Sequence, residues 1–500
     1  MIKSMLVIAL LASCGGGNRG AMLDGAPAQD APGAPSLAFA NVHDNQELET
    51  GFIVGTSTGL VPQVGCRFDG GAIVGATGTA AWKCPRPTSW KVGTQHVISA
   101  GVYDGSTLSA SITASVYAAH NHDFNGDGYV DLAVGSMLAA SGAGTVSIFY
   151  GSPSGVAATP DLTLTGPKAA SEFGFALVAA DIRGTGYADL AVGVASFSTS
   201  HTDTGTVYFF NGASSGLPSA PSYSLAGPAL ANAGSGYAMA AGDYNGDGLE
   251  DVAVGYNGYN TFVGQVFFYK GGAAGATFDS MMTGTSGSSL GEAIGLGDIT
   301  GSGYASALVG SPSGVKIYPG GPSGIATTSI GSASERGAIS VAYIQRGGFA
   351  DLVIAGNAQA VIHYGSASGL SGTTTVSDGA QLGWGTAIAG DVDNDGHDDV
   401  VLANPCLDSS CHGGNALVFA GSSSGLATTA STTISGPMTS SQFGYALELA
   451  DVNGDGRFDL EVSDGASSLW VYAGDGTATL YPASSNKTLT GVAGTAFSPR

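Results

Sequence analysis

Apolar residues along most of this chain come in short runs cut by glycine, serine and aspartate. Leu132-Ala-Val-Gly135, Leu190-Ala-Val-Gly193, Val252-Ala-Val-Gly255 and Val400-Val-Leu402 are continuous apolar stretches. Aromatic stretches such as Val207-Tyr-Phe-Phe210 and Val266-Phe-Phe-Tyr269 follow two of them. Runs this short, bounded by turn formers and rich in Val, Phe and Tyr, predict strands buried on both faces. No helical period is sustained between them, so the chain is predicted to be all-β.

From residue 119 to 500 the pattern repeats. A Phe-Gly-like pair opens a unit, as at Phe173-Gly174, Gly236-Tyr237, Leu290-Gly291, Leu382-Gly383 and Phe443-Gly444. An alanine-rich strand, an aspartate-rich loop, the continuous apolar strand and a Gly-Thr-Val-type strand follow. A Gly-Leu turn then leads to a last strand such as Tyr223-Ser-Leu-Ala226. The loops start at residues 123, 181, 243, 298, 343, 391 and 451, a period of about 45–62 residues. Seven such units of four short strands predict a seven-bladed β-propeller.

Four loops carry oxygen side chains at positions 1, 3, 5 and 9. These are Asp123, Asn125, Asp127 and Asp131; Asp243, Asn245, Asp247 and Asp251; Asp391, Asp393, Asp395 and Asp399; and Asp451, Asn453, Asp455 and Asp459. The residue at position 7 (Tyr129, Leu249, His397 or Arg457) can add a backbone carbonyl, and glycine at position 6 permits the sharp turn. An oxygen-only set with several carboxylates points to Ca2+ rather than zinc, and magnesium would keep more water. The other three loops are depleted. Arg183 and Thr185 replace ligands in the second, where the guanidinium is expected to stand in for an ion. The fourth keeps one carboxylate and the fifth only Asp351, so neither is expected to hold a divalent ion strongly.

Loop, flanking strands and spacing together resemble the FG-GAP repeats of the integrin α-subunit β-propeller, over nearly all of 119–500. Dockerin and EF-hand loops share the Asp-x-Asn-x-Asp-Gly start but enter a helix and end in glutamate, whereas these enter strands. The first loop has no opening strand before it. Lys487-Thr-Leu-Thr490 repeats a unit ending and Gly494-Thr-Ala-Phe497 resembles an opening strand, so the C-terminus is expected to close the ring.

The N-terminus changes the setting. Lys3, the apolar run Met5 to Leu11 and Leu11-Ala-Ser-Cys14 resemble a bacterial lipoprotein signal. The implied organisation is a signal peptide over 1–13, an acylated Cys14 with a flexible linker over 14–35, a small folded unit over 36–118 and the propeller over 119–500. Gly15 after the cysteine favours the outer membrane or cell surface of a bacterium. In the small unit, Cys66, Trp82, Cys84 and the stretch Gly93 to Asp104 resemble a bacterial Ig-like β-sandwich, expected to be a spacer. Trp82 and Trp90 are expected to pack internally. Cys66 with Cys84, and Cys406 with Cys411, form two local pairs that predict disulfides in an exported chain.

Charged residues are only 11% of the chain and the formal charge is −23, which excludes nucleic acid as a partner. No Gly-x-Ser-x-Gly, HExxH or phosphate loop stands in a supporting context. His120 and His122 are expected to be solvated at the domain junction. The expected function is a membrane-anchored, calcium-binding propeller that binds or adheres to a protein or glycan, on the face opposite the calcium turns. A lectin-like propeller using Trp384, Tyr237 or Tyr445, or an enzyme acting on polysaccharide or lipid, are the alternatives.

Overall fold

The computed structural model describes residues 35–490 and 496–497, apart from residues 60, 168–170, 195–205, 228–234, 357–358, 378–386, 406–412, 438–441, 467, 476–479 and 483. The signal peptide, Cys14 and its linker, Trp384 and the Cys406–Cys411 pair therefore lie outside the described residues.

Residues 36–118 fold into a three-stranded and a five-stranded sheet. Their facing side chains make one core: Ile53, Trp82 and Cys84 from the first sheet meet Val64, Cys66, Ile98 and Val116 from the second. The Cys66–Cys84 disulfide crosses this core and ties the two sheets together. Trp82 is buried, and Trp90 packs against Phe68 and stacks on His96.

The remainder forms seven four-stranded antiparallel sheets among the described residues. In the second sheet Phe173–Ala180, Asp189–Val194, Thr206–Phe210 and Tyr223–Ala226 lie in that order, and the later sheets repeat it. The first strands of sheets two to seven touch in succession. The circuit closes through the C-terminal strand Ala496–Phe497, which contacts the first strands of both its neighbours. That strand pairs antiparallel with Leu132–Ser136, Ala496 opposite Gly135 and Phe497 opposite Val134, as the C-terminal pattern predicted. The ring is a β-propeller whose blades are these sheets.

Packing explains the uninterrupted apolar runs. Each second strand lies between two neighbouring blades: Leu190 and Val192 face blade one, while Ala191 faces blade three. With neither face wet, alternation disappears. Among the described residues helix is limited to single turns at Ala139–Gly142 and Tyr259–Phe262. Two opening pairs are not strand: the strands begin at Ile294 and Ala446, after Leu290-Gly291 and Phe443-Gly444. Phe443 is instead a fully buried anchor between blades six and seven, against Trp470 and Tyr472.

Candidate functional site

Loops two to seven each join the first and second strands of their blade, and the first loop leads into the second strand of blade one, so all seven gather on one face of the ring. Their backbone has one shape. Position 6 lies at positive φ in every loop (Gly128, Gly186, Gly248, Gly303, Gly348, Gly396, Gly456). So does position 4: Gly126, Gly184, Gly246, Gly301 and Gly454, but also Arg346 (φ 49°) and Asn394 (φ 59°). Sequence reasoning identified the first requirement and missed the second, although glycine or asparagine stands at position 4 in six of the seven.

Side chains fix this shape. The carboxylate at position 1 accepts backbone N–H bonds from within its own loop: Gly126 and Gly128 donate to Asp123 (2.6 and 2.9 Å), and Asp395 and Gly396 donate to Asp391 (3.0 and 2.8 Å). The loops at Asp243 and Asp451 do the same. Position 3 accepts from the N–H of position 5, as with Asn125 and Asp127 at 2.8 Å. Asn245, Asp393 and Asn453 act alike toward Asp247, Asp395 and Asp455. Position 5 accepts from the N–H of Tyr129, Leu249, His397 or Arg457.

Position 9 has a second duty. Asp131 accepts from Phe124 N (2.8 Å) and Gly151 N (2.9 Å), tying the loop to the turn after the blade's third strand. Asp251, Asp399 and Asp459 accept from Gly271, Gly421 and Gly474 in the same way. Asp189 and Asp351 do so in the depleted loops, from Gly212 and Gly365. This role therefore does not depend on an ion.

The donor chemistry fits a hard cation. Burial pushes Asp251 and Asp399 up to about 8 and Asp391 to about 9, with repulsion from neighbouring carboxylates adding to each. Asp131 and Asp459 are driven upward for the same reasons. In the sixth loop, carboxylate oxygens of Asp391, Asp393 and Asp395 lie within 4.8 Å of one another. A bound divalent ion would neutralise that crowding. In the second loop Arg183 Nε lies 2.9 and 3.0 Å from the two Asp189 oxygens, and Nη2 donates to Gly212 O at 2.6 Å. The chain's own cation thus satisfies that carboxylate.

The 36–118 unit is seated on this ring of loops, a contact that the reading from sequence did not include. Lys83 Nζ donates to Gly126 O (3.2 Å) of the first loop, and in the connection just after the unit Asn121 Nδ2 donates to Gly186 O (2.9 Å) of the second. In the same connection His120 bonds Glu250 of the third, and Lys91 of the unit bonds Gly303 O of the fourth. Arg346 of the fifth pairs with Glu47 and, at 2.8 Å, with Asp398 of the sixth, beneath the Tyr117 ring. His43 Nε2 reaches Gly454 O (3.1 Å) of the seventh. The approach is close: a Cβ on Gly51 would stand 1.9 Å from Gly186 O.

His120 is consequently half-buried and His122 buried, rather than solvated. The first is held by Glu250, and the second lies 3.7 Å from Glu49. Glu250 and Asp398 occupy position 8 of their loops, and each accepts the first N–H of the preceding loop, from Asp181 (2.7 Å) and Tyr343 (2.7 Å). Both were missed in the sequence, where an acid at position 8 was the available signal.

Two cavities result. One of 260 Å³ lies between the unit and the loops, lined by Arg86, Trp90, His120, Asp243 and Tyr343 among others. The other, 330 Å³, runs along the ring axis. Its wall is small and apolar (Ala176, Ala240, Gly295, Ala338), with Glu292, Tyr445 and Glu448 also facing it.

A ring of four-stranded blades with Asp-rich turns on one face defines a β-propeller. Family models agree on the repeat: residues 123–192 match an FG-GAP-like repeat and residues 235–269 an FG-GAP repeat. These two stretches of the chain are thus similar to FG-GAP repeats. Integrin alpha-4 of Xenopus laevis is 33% identical over 157 residues, covering 29% of this chain and 15% of that protein. Phosphatidylinositol-glycan-specific phospholipase D of Rattus norvegicus is 40% identical over 75 residues, covering 14% of this chain and 9% of that one. The chain therefore spans only a small part of either relative. A solved protein from Lactobacillus plantarum is 14% identical and covers 74% of this chain and 98% of its own, with a TM-score of 0.47.

Proposed function

We propose that this chain is an exported, lipid-anchored binding module, a propeller held rigid by about four Ca2+ ions that presents its free face to a protein or glycan. The observation that carries the reading is the seating of the 36–118 unit on the loops. With that face covered, the opposite rim and the mouth of the axial tunnel beside Tyr445 and Glu292 are left for a partner. The four complete oxygen sets, and the carboxylates brought together in the sixth loop, support calcium as the ion. No helix among the described residues is long and apolar enough to cross a membrane, so attachment in this reading rests on Cys14.

The test is a glycan array probed with residues 15–500 in calcium and again in EGTA. Saturable, calcium-dependent signals would establish a glycan ligand. A silent array from folded protein would refute the glycan arm and leave a protein partner. Turnover of any bound glycan would overturn the binding-module reading.

A further inference from the structure

The fourth loop lacks the acids of the complete sets but not their oxygens. Asp298, Thr300, Ser302 and Ser306 occupy positions 1, 3, 5 and 9. The backbone holds the common shape: Gly301 and Gly303 lie at positive φ, and Asp298 accepts from Ser302 N at 2.9 Å and from Gly303 N. Three side-chain oxygens converge. Thr300 Oγ1 lies 3.4 Å from Asp298 Oδ1 and 3.1 Å from Ser302 Oγ, and Ser302 Oγ lies 3.4 Å from Asp298 Oδ1. Two of these separations are too long for good hydrogen bonds. They are the spacing of oxygens sharing one small ion: ligands at right angles and this far apart sit about 2.3 Å from a common centre.

Ser306 supplies an independent sign. It is fully buried and its hydroxyl has no hydrogen-bond partner among the described residues, where every other loop has an aspartate. A buried hydroxyl without a partner is costly unless something outside the protein satisfies it. Sister loops show where position 9 points. Asn245 contacts Asp251, Asn453 contacts Asp459 and Arg183 contacts Asp189, each from position 3. Ser306 stands at that same position 9, with Thr300 at position 3.

We propose that this fourth loop binds a sodium ion. One carboxylate and three hydroxyls offer a single negative charge, which matches a monovalent ion, whereas the complete loops offer three or four carboxylates. The spacing fits a sodium-sized ion and is too tight for potassium. Lys91 Nζ reaches the outer side of the loop at Gly303 O and lies over the Tyr304 ring, but forms no ion pair with Asp298 among the described residues. It does not take the place of the ion.

The experiment uses the full chain with calcium saturating, in sodium, potassium or choline chloride at equal ionic strength. The 23Na resonance should broaden saturably, and sodium should raise the melting temperature by about 2 °C over choline. The Thr300→Val/Ser302→Ala variant should lose both effects while melting like the parent in choline and still binding about four calcium ions. If that variant does not fold, Ser302→Ala alone, at an exposed position, serves the same comparison. Equal melting in all three salts, an equal gain from potassium, or a fifth calcium lost with the variant would overturn the proposal.

Discussion

Replacing Arg346 with methionine tests whether the 36–118 unit and the propeller are one mechanical body. Arg346 sits between Glu47 and Asp398, and all three side chains are less than 10% exposed. Methionine keeps the length and apolar stem but leaves two adjacent buried carboxylates without their cation. Removing one partner from a buried ion network costs about 3–5 kcal/mol, because the remaining charge is neither solvated nor paired. Arg346 also lies at φ 49°, a strain that methionine inherits, so backbone relief does not offset the loss. The expected result in urea unfolding at pH 7.5 with saturating calcium is a loss of about 3–5 kcal/mol, with an early transition for the undocked unit.

The sign with pH is fixed. Burial, reinforced by Glu47, already pushes Asp398 up to about 7, and Arg346 holds it down. Without the arginine the carboxyl rises further, so protonation favours the folded state and the deficit shrinks as pH falls toward 5. Adding Asp398→Asn to the methionine variant should recover part of the stability by removing the orphan charge. A loss under 1 kcal/mol, or a deficit that grows on acidification, would refute the reasoning.

Other outcomes follow from the same structure. Deleting residues 491–500 removes the strand that pairs with Leu132–Ser136 and exposes the inner edge of blade one, so the chain should melt earlier and aggregate on size-exclusion chromatography. EGTA should lower the melting temperature, and Asp395→Ala should reduce the calcium bound per chain from about four to about three by titration calorimetry. Burial raises Asp351 to about 6 from 3.8, although three backbone amides oppose the shift. Its stabilising contribution is therefore full below about pH 4 and lost as pH rises through about 6, by at most about 3 kcal/mol. Asp351→Asn should flatten that part of the pH–stability curve.

The blades were legible because each carries its own punctuation. A second strand such as Asp189–Val194 is framed by a loop and a turn whose residue types admit little else. Closure was legible for a similar reason: an orphan first loop and an orphan last strand imply each other. The seat of the 36–118 unit was not. It rests on scattered side chains such as Lys83, Lys91 and His43, reaching carbonyls 43, 212 and 411 residues away, and a carbonyl has no sequence signature. The pairing of His120 with Glu250 and the burial of His122 beside Glu49 were hidden likewise, since these groups come together only in the folded chain.

The depleted loops separate two roles that the complete ones combine. If ions alone shaped the turn, loops without the full set should have drifted in backbone form. Instead the second, fourth and fifth retain positive φ at positions 4 and 6, and Asp189 and Asp351 still anchor the following turn. The fold needs that shape because the loop backbones form the surface on which the 36–118 unit sits. An ion is one means of neutralising the acids that hold it, Arg183 another, and the Arg346 hub a third. Calcium should therefore tighten the seat without creating it. In EGTA the unit should remain docked, with Trp90 emission unchanged, until the propeller itself unfolds. Release of the unit well below that transition would instead mean that the ions, not the protein's own contacts, hold the two parts together.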